Sequence, residues 1–294
     1  MHPAPSIIVF TTLSGLGFGL LAFLGLGLPS ATGLPAAIYF AGAFGLTGCG
    51  IIASTFHLGH PERSIKAFTQ WRSSWLSREA CLAVGALATM GIFAGISVFT
   101  GTRLYALGTP GAALSLLAVY ATSMIYAQLR TVPRWNQHST PILFLAYALA
   151  GGALLAGQPV IAIPLLCLLG AVQLWSWRNG DGRLAGSGTT LESATGLGIG
   201  GKVRSFEPPH TGTNYLLSEM VHVVGRRHAR KLRLIGFVLL VALPFLFLIA
   251  LPVHLAVIAL ASLCHFAGAL ICRWLFFAEA EHVVGFYYGK RPTS

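Results

Sequence analysis

The chain has 294 residues, 55% of them hydrophobic and only 9% charged, with a formal net charge of +11. A mean hydropathy of +0.73 excludes an ordinary soluble domain and marks a polytopic membrane protein. The surplus of cations does not point to nucleic acid, because no soluble module interleaving aromatic and basic residues exists to bind it.

Taken in chain order, eight apolar segments reach or approach the roughly 20 residues a helix needs to cross hydrocarbon. The first covers about 7–28. It lacks a basic leader and an A-x-A site and is too long for a signal core, so it reads as a retained span. The second covers about 35–57 and ends on His57. There the oily chain gives way to HLGHPERSIKAFTQWRSSWLSREA, residues 57–80, which sets histidine, four cations and two carboxylates at a membrane boundary. Segments three and four cover about 79–101 and 106–128, and segments five and six about 141–157 and 159–177. The fifth and sixth are short and closely joined, which leaves open a single re-entrant pair. Pro and Gly punctuate the joins, as at Leu28-Pro29, Gly108-Thr109-Pro110 and Gly157-Gln158-Pro159.

Residues 178–233 form the one long polar excursion. Its first half is rich in Gly, Ser and Thr and reads as an irregular loop, with Glu207 extended ahead of Pro208 and Pro209. Within it, Gly196 to Lys202 spells G-x-x-x-x-G-K, but Val203 stands where Mg²⁺ needs a hydroxyl and no buried strand precedes, so nucleotide binding is rejected. From Asn214 onward, Leu216, Leu217, Met220, Val221 and Val224 recur at helical spacing ahead of Arg226, Arg227, Arg230, Lys231 and Arg233. This predicts a basic amphipathic helix in the interface, either an anchor for span seven or a docking surface for a peripheral subunit. Segments seven and eight cover about 234–251 and 253–275. The eighth carries Arg273, followed by Trp274, Phe276 and Phe277 and then Glu279, Glu281 and His282. The expected fold class is therefore all-α: a polytopic bundle of about eight helices in one integral membrane domain, 1–294, with 178–233 as a cytoplasmic loop.

Orientation follows from the cations, because cytoplasmic loops collect Lys and Arg. Seventeen of the 19 lie in the joins after spans two, four and six and in the C-terminal tail; the opposite joins hold only Arg103, and Arg273 lies inside the last span. Both termini and the His57 loop are expected on the cytoplasmic side of the inner membrane, facing anionic headgroups or an acidic partner. The five cysteines all fall within apolar segments without a C-x-x-C pair, so they are expected to be small buried hydrophobes, and no iron–sulfur cluster is expected in this chain. Of ten histidines only His265 falls clearly at lipid depth, with no second histidine to match it on another span, so no haem and no metal site are expected; a rim haem between His57 and His282 is the minority reading. Neither midplane ionisable groups nor repeat symmetry support a transporter.

An ionisable residue at the membrane rim is costly, and is read as functional. His57 closes span two and Glu79 opens span three, with Arg63 and Arg72 on the loop between them. The pocket they imply is apolar behind and titratable in front, which suits a quinone: its tail lies in hydrocarbon, its carbonyls take hydrogen bonds, and its redox cycle moves two protons. Histidine and a partly buried glutamate each relay protons near neutral pH. Arg273 is a secondary candidate beside the quinone, against a structural role as a snorkelling or ion-paired cation.

These residues carry a resemblance. His57-Leu58-Gly59-x-Pro61 with Arg63 and Ser77-x-Glu79 resembles the signature of the membrane anchor subunit of the dimethyl sulfoxide reductase family. Thr131-Val132-Pro133-x-Trp135 with Thr140-Pro141 looks like that family's join after span four, and Arg273-x-x-Phe276 like an element of its last span. The resemblance implies an anchor without haem that binds ubiquinone or menaquinone beside His57, Gly59, Arg63 and Glu79. It also implies an iron–sulfur subunit docked on the anchor and wired to a molybdopterin catalytic subunit. The loop Glu207 to Gly212 and the basic run after it are similar to the branch serving cytoplasmic sulfite dehydrogenase, so electrons are expected to pass from sulfite to quinone. The alternatives are a quinol-oxidising anchor of a terminal reductase, or a pure anchor with no quinone site of its own.

Overall fold

The computed structural model describes residues 3–56, 60–204, 206–207 and 228–288; the side chains of 61–64 and 194 lie outside that description. Every regular element among the described residues is helical. Eight apolar helices run in chain order: α1 Pro5–Gly25, α2 Gly33–Thr55, α3 Trp75–Phe99, α4 Tyr105–Ala127, α5 Ser139–Leu155, α6 Pro159–Gly180, α7 Ala229–Ala250 and α8 Leu255–Ala278. Seven are long and apolar enough to cross a membrane, whereas α5 has 17 residues. At 1.5 Å per residue it is roughly 26 Å long. It and α6 are separate helices, joined through Gly157 in the left-handed region at φ 64°.

α1 is the axis of the bundle and packs on α2, α4, α5 and α8. It sits there because it is lined with small residues. A side chain on Gly19 would collide with the Ala148 carbonyl, and one on Gly152 would collide with the Gly19 backbone, so the two backbones touch where no side chain intervenes. In lipid, where no hydrophobic force pulls helices together, such close contact is the main source of association. The outer faces are correspondingly apolar, with Leu34, Ile38, Ile92 and Phe99 exposed toward the acyl chains.

This one-sided burial corrects the expectation for the cysteines. Only Cys272 is buried; Cys264 is intermediate, and Cys49, Cys81 and Cys167 lie on the outer surface. A spanning helix is apolar all round, so membership in an apolar run does not say which face looks inward.

Two connections differ from their expected form. Between α2 and α3 the chain forms a 3₁₀ helix, Pro61–Phe68. It is tied to α3 by Ser77 Oγ donating to the Ala67 carbonyl, while Arg78 donates from Nε to Trp71 O (3.0 Å) and from Nη2 to Arg72 O (2.7 Å). After α6, the stretch expected to be irregular forms short helices, Arg183–Gly186 and Leu191–Thr195. The second is nucleated by a reciprocal Thr190–Ser193 capping box and stopped by Gly196 at φ 69°. Gly196 of the G-x-x-x-x-G-K string is thus a helix stop. The predicted interfacial helix from Asn214 lies outside the described residues up to Arg227; from Ala229 the basic run is the first turn of α7.

Candidate functional site

The end of the bundle where α2, α4, α6 and α8 finish and α3, α5 and α7 begin gathers the buried Ser77, Glu79, Thr122, Gln173, Arg273 and Glu279. His57 and Gly59 lie outside the described residues. Arg63 falls in the 3₁₀ helix, its side chain outside the description. Arg72 is exposed on the following turn, its guanidinium 5.4 Å from the Trp71 ring centre.

Glu79 points inward and is 8% exposed. Trp75 starts α3 one turn ahead of it, after an extended Ser74, and packs edge-on against Tyr120 of α4 at 5.8 Å. That contact places Glu79 over the α4 groove, where Thr122 Oγ1 donates to Glu79 Oε1. The hydroxyl is equally within 3.0 Å of the Ala118 carbonyl in its own helix. One turn further along α4, Tyr126 stands within electrostatic reach of both Glu79 and Arg273. Its ring is the hub of an aromatic cluster with Trp135, Phe144, Phe276 and Phe277 at 5.3–5.8 Å.

Arg273 is 2% exposed, so it does not snorkel. Its guanidinium lies 3.6 Å from the Phe144 ring centre and 4.5 Å from that of Tyr147, a cation held by two π faces. Its Nε and Nη1 have no hydrogen-bond partner among the described residues. Beside it Tyr147 donates to Gln173 Oε1 at 2.6 Å. The cavity these groups share with Trp177, Cys272 and Glu279 has about 20 Å³, the space of one water molecule.

Above this cavity four side chains from four segments close a ring. Glu279 takes Arg134 Nη2 on Oε2 and Arg233 Nε on Oε1, both at 2.7 Å. Asp181 takes Arg134 at 3.0 Å and Arg233 at 2.6 Å on Oδ1. The arginines beside Asp181 hold its carboxyl below the ordinary carboxylate range, against the opposing effect of partial burial. Arg134 and Arg233 read in the sequence as loop cations; the ring turns both inward, joining the α4–α5 connection, the end of α6, the start of α7 and the end of α8.

The structure brings Glu79 and Arg273, both singled out in the sequence, to the same end of the bundle, together with Thr122, Tyr126, Tyr147 and Gln173, which the sequence reading does not name. Their signal was available, since each is a polar side chain inside an apolar helix, where hydrocarbon cannot satisfy it. Among the described residues no three His, Cys, Asp or Glu side chains are grouped as metal ligands. A buried carboxyl, a hydroxyl and a guanidinium whose Nε and Nη1 carry three N–H groups without a partner among the described residues form a donor set suited to carbonyl oxygens and proton exchange.

Comparison with known proteins places this geometry in context. The family described as DMSO reductase anchor subunit (DmsC) matches residues 1–279. A sulfite dehydrogenase subunit of Allochromatium vinosum is 32% identical over 324 aligned residues, which cover 98% of this chain and 99% of that one. Anaerobic dimethyl sulfoxide reductase chain YnfH of Escherichia coli K12 is 32% identical over 115 residues, 38% of this chain and 40% of that one. No solved structure matches.

Proposed function

The chain belongs to the DMSO reductase anchor subunit family, and on that premise we propose that it exchanges electrons and protons with a lipid-soluble quinone at the Glu79 end of the bundle. The observation that carries the reading is Glu79 itself: a carboxyl group enclosed by helices, held by Thr122, at the margin where α3 meets the 57–72 loop. A carboxyl is retained in such a place at a cost, and proton handling is the use that offsets it.

Reduction of a quinone consumes two electrons and two protons. Glu79 holds one proton at Oε1 or Oε2, and the Thr122 hydroxyl fixes the rotamer from which the acid delivers it. His57, two residues beyond α2 in the sequence, is assigned the exchange of that proton with the cytoplasm, and Gly59, Arg63 and Arg72 the wall of the ring site. Arg273 acts by its charge and through water, because the cavity beside it admits a water and not a ring. The cation distribution supports a cytoplasmic position, at the inner membrane, for this end and for both termini. There an iron–sulfur subunit would dock and connect to a molybdopterin catalytic subunit. Full-length similarity to a chain named for sulfite dehydrogenase supports sulfite as the electron source. The shorter match to a dimethyl sulfoxide reductase chain supports the reverse direction, quinol oxidation, as the second reading.

The test is made in the assembled complex. Glu79→Gln and His57→Ala are expected to lower quinone-linked turnover about 100-fold, the scale of lost acid–base catalysis, while activity with a soluble dye at the catalytic subunit persists. Equal loss of both activities would assign these residues to assembly and overturn the reading.

A further inference from the structure

On the flank of α8 away from α6, the start of α7 leaves a groove. α1 and α7 both pack on α8, and Ile8, Leu232, Leu270, Ile271 and Trp274 wall a space of about 380 Å³ between them. Leu232 is the fourth residue of α7 and Trp274 the fifth from the end of α8. The groove therefore lies only about 6 Å inside the helix ends, at the interfacial depth that suits an indole.

The faces of α7 set the charge at its mouth. Gly236 lies against α8, since a Cβ there would stand 2.8 Å from Cys272 Sγ and 3.1 Å from Ile271. Arg233 and Phe237 turn toward α6, over Trp177 and beside Gly170. Lys231, two residues before Arg233 and so nearly opposite it on the helix, falls on the groove's flank, one turn from Ile235, which is 48% exposed. Lys231 is itself exposed and joins no ion pair among the described residues. The ring of Arg134, Arg233, Asp181 and Glu279 balances its own charges and has none left to offset Lys231. The first turn of α7 holds no acidic residue, so its cations oppose the peptide dipole, an arrangement that an added anion relieves. His228, directly before the helix, is exposed as well.

We propose that this groove seats an acyl chain of an anionic phospholipid whose phosphate lies against Lys231 at the start of α7. The wall is almost wholly hydrocarbon, which suits a chain and offers the carbonyls of a quinone ring no donor. Phosphatidylcholine fits the same wall, but its own cation cancels what Lys231 could contribute. The chain's preceding segment brings further cations, Arg226 and Arg227, in a protein with 19 Lys and Arg against eight Asp and Glu, so an anion from outside is what this end lacks. The lipid joins α1, α7 and α8 on one flank, as the ionic ring joins α6, α7 and α8 on the other. Neither the site nor its test depends on the quinone reading.

The full chain is placed in phosphatidylcholine bilayers containing a graded fraction of either phosphatidylglycerol or phosphatidylcholine brominated on its acyl chains. Trp274 fluorescence is read as the difference between the wild type and Trp274→Phe. Bromine quenches on contact, so the loss of signal reports a chain in the groove. Brominated phosphatidylglycerol is expected to half-quench Trp274 at a membrane fraction about fivefold lower than brominated phosphatidylcholine, the worth of one cation near an anionic lipid. Lys231→Gln, an exposed change that leaves the wall intact, brings the two lipids together. Native mass spectrometry of the wild type and Lys231→Gln, counting retained phosphatidylglycerol, reads the same preference and serves where Trp274→Phe does not fold. Equal quenching by the two lipids, or a preference that survives Lys231→Gln, would overturn the proposal. So would a Trp274 that neither lipid quenches, because the groove would then be covered by protein, whether residues 208–227 of this chain or a partner.

Discussion

Arg233 and Arg273 stand near one another at the same end of the bundle, and their surroundings are opposite. Arg233 is gripped by two carboxylates and rests over the Trp177 ring at 5.4 Å. Arg273 is the more deeply buried, yet it faces two aromatic rings and keeps two N–H-bearing nitrogens without partners among the described residues. The first arrangement spends its charge on holding helices together. In the second, the charge remains available to whatever enters the cavity. A buried cation with a full set of carboxylates reads as a clamp, and one stabilised only by π faces reads as a working group.

The comparison is broken most forcefully at Glu279. Replacing it by Ala leaves Arg134 and Arg233 facing each other with only the half-exposed Asp181 between them. Removing one partner of a buried pair costs about 3–5 kcal/mol, so the Glu279→Ala chain is expected to unfold at much lower denaturant, followed by circular dichroism in mixed micelles. A wild-type midpoint would show that the ring does not clamp the helices.

The clamp was not legible in the sequence, and the reason is physical. Hydropathy finds segments that lipid will accept, and α1, α2, α4 and α8 begin and end within a few residues of their expected bounds. Pairing across the bundle leaves no periodic trace: Arg134 meets Glu279 across 145 positions, and Thr122 meets Glu79 across 43. Counting cations gave the side of the membrane on which Arg134 and Arg233 are expected, but could not tell that both turn inward. Glu79 was legible because a carboxylate two residues after Ser77 at a span boundary has no cheap explanation. The start of α3 at Trp75 rather than near 79 was less so, since Arg78 ties its first turn to the preceding loop through backbone carbonyls that no side-chain pattern reports.

Arg273 sharpens the contrast from the other side. Arg273→Met removes a charge that has no carboxylate partner among the described residues and keeps a long unbranched side chain, so stability should change by less than about 2 kcal/mol, the scale of a desolvated cation–π contact. Quinone-linked turnover of the complex should nevertheless fall about tenfold, as loss of one charged interaction worth ~1.4 kcal/mol requires. Unfolding as severe as that of Glu279→Ala, with unchanged turnover per folded molecule, would make Arg273 a second clamp.

The smallest effect is expected at Asp181, the ring's outer carboxylate, whose side chain is 52% exposed. Its carboxyl is held below the ordinary value of 3.8 by Arg233 and Arg134. A depressed folded-state pKa stabilises the fold above the unfolded value and loses that contribution as pH falls through the folded one. Asp181→Asn should therefore cost under about 1 kcal/mol near neutral pH, as solvent screening of a half-exposed pair dictates. The difference between the Asn variant and the parent should shrink as the medium is taken from about pH 6 to about pH 3, across the carboxylate range. A difference that stays constant over that interval would mean that Asp181 contributes packing or neutral hydrogen bonds rather than charge. The ring would then owe its grip to Glu279, the carboxylate that solvent barely reaches.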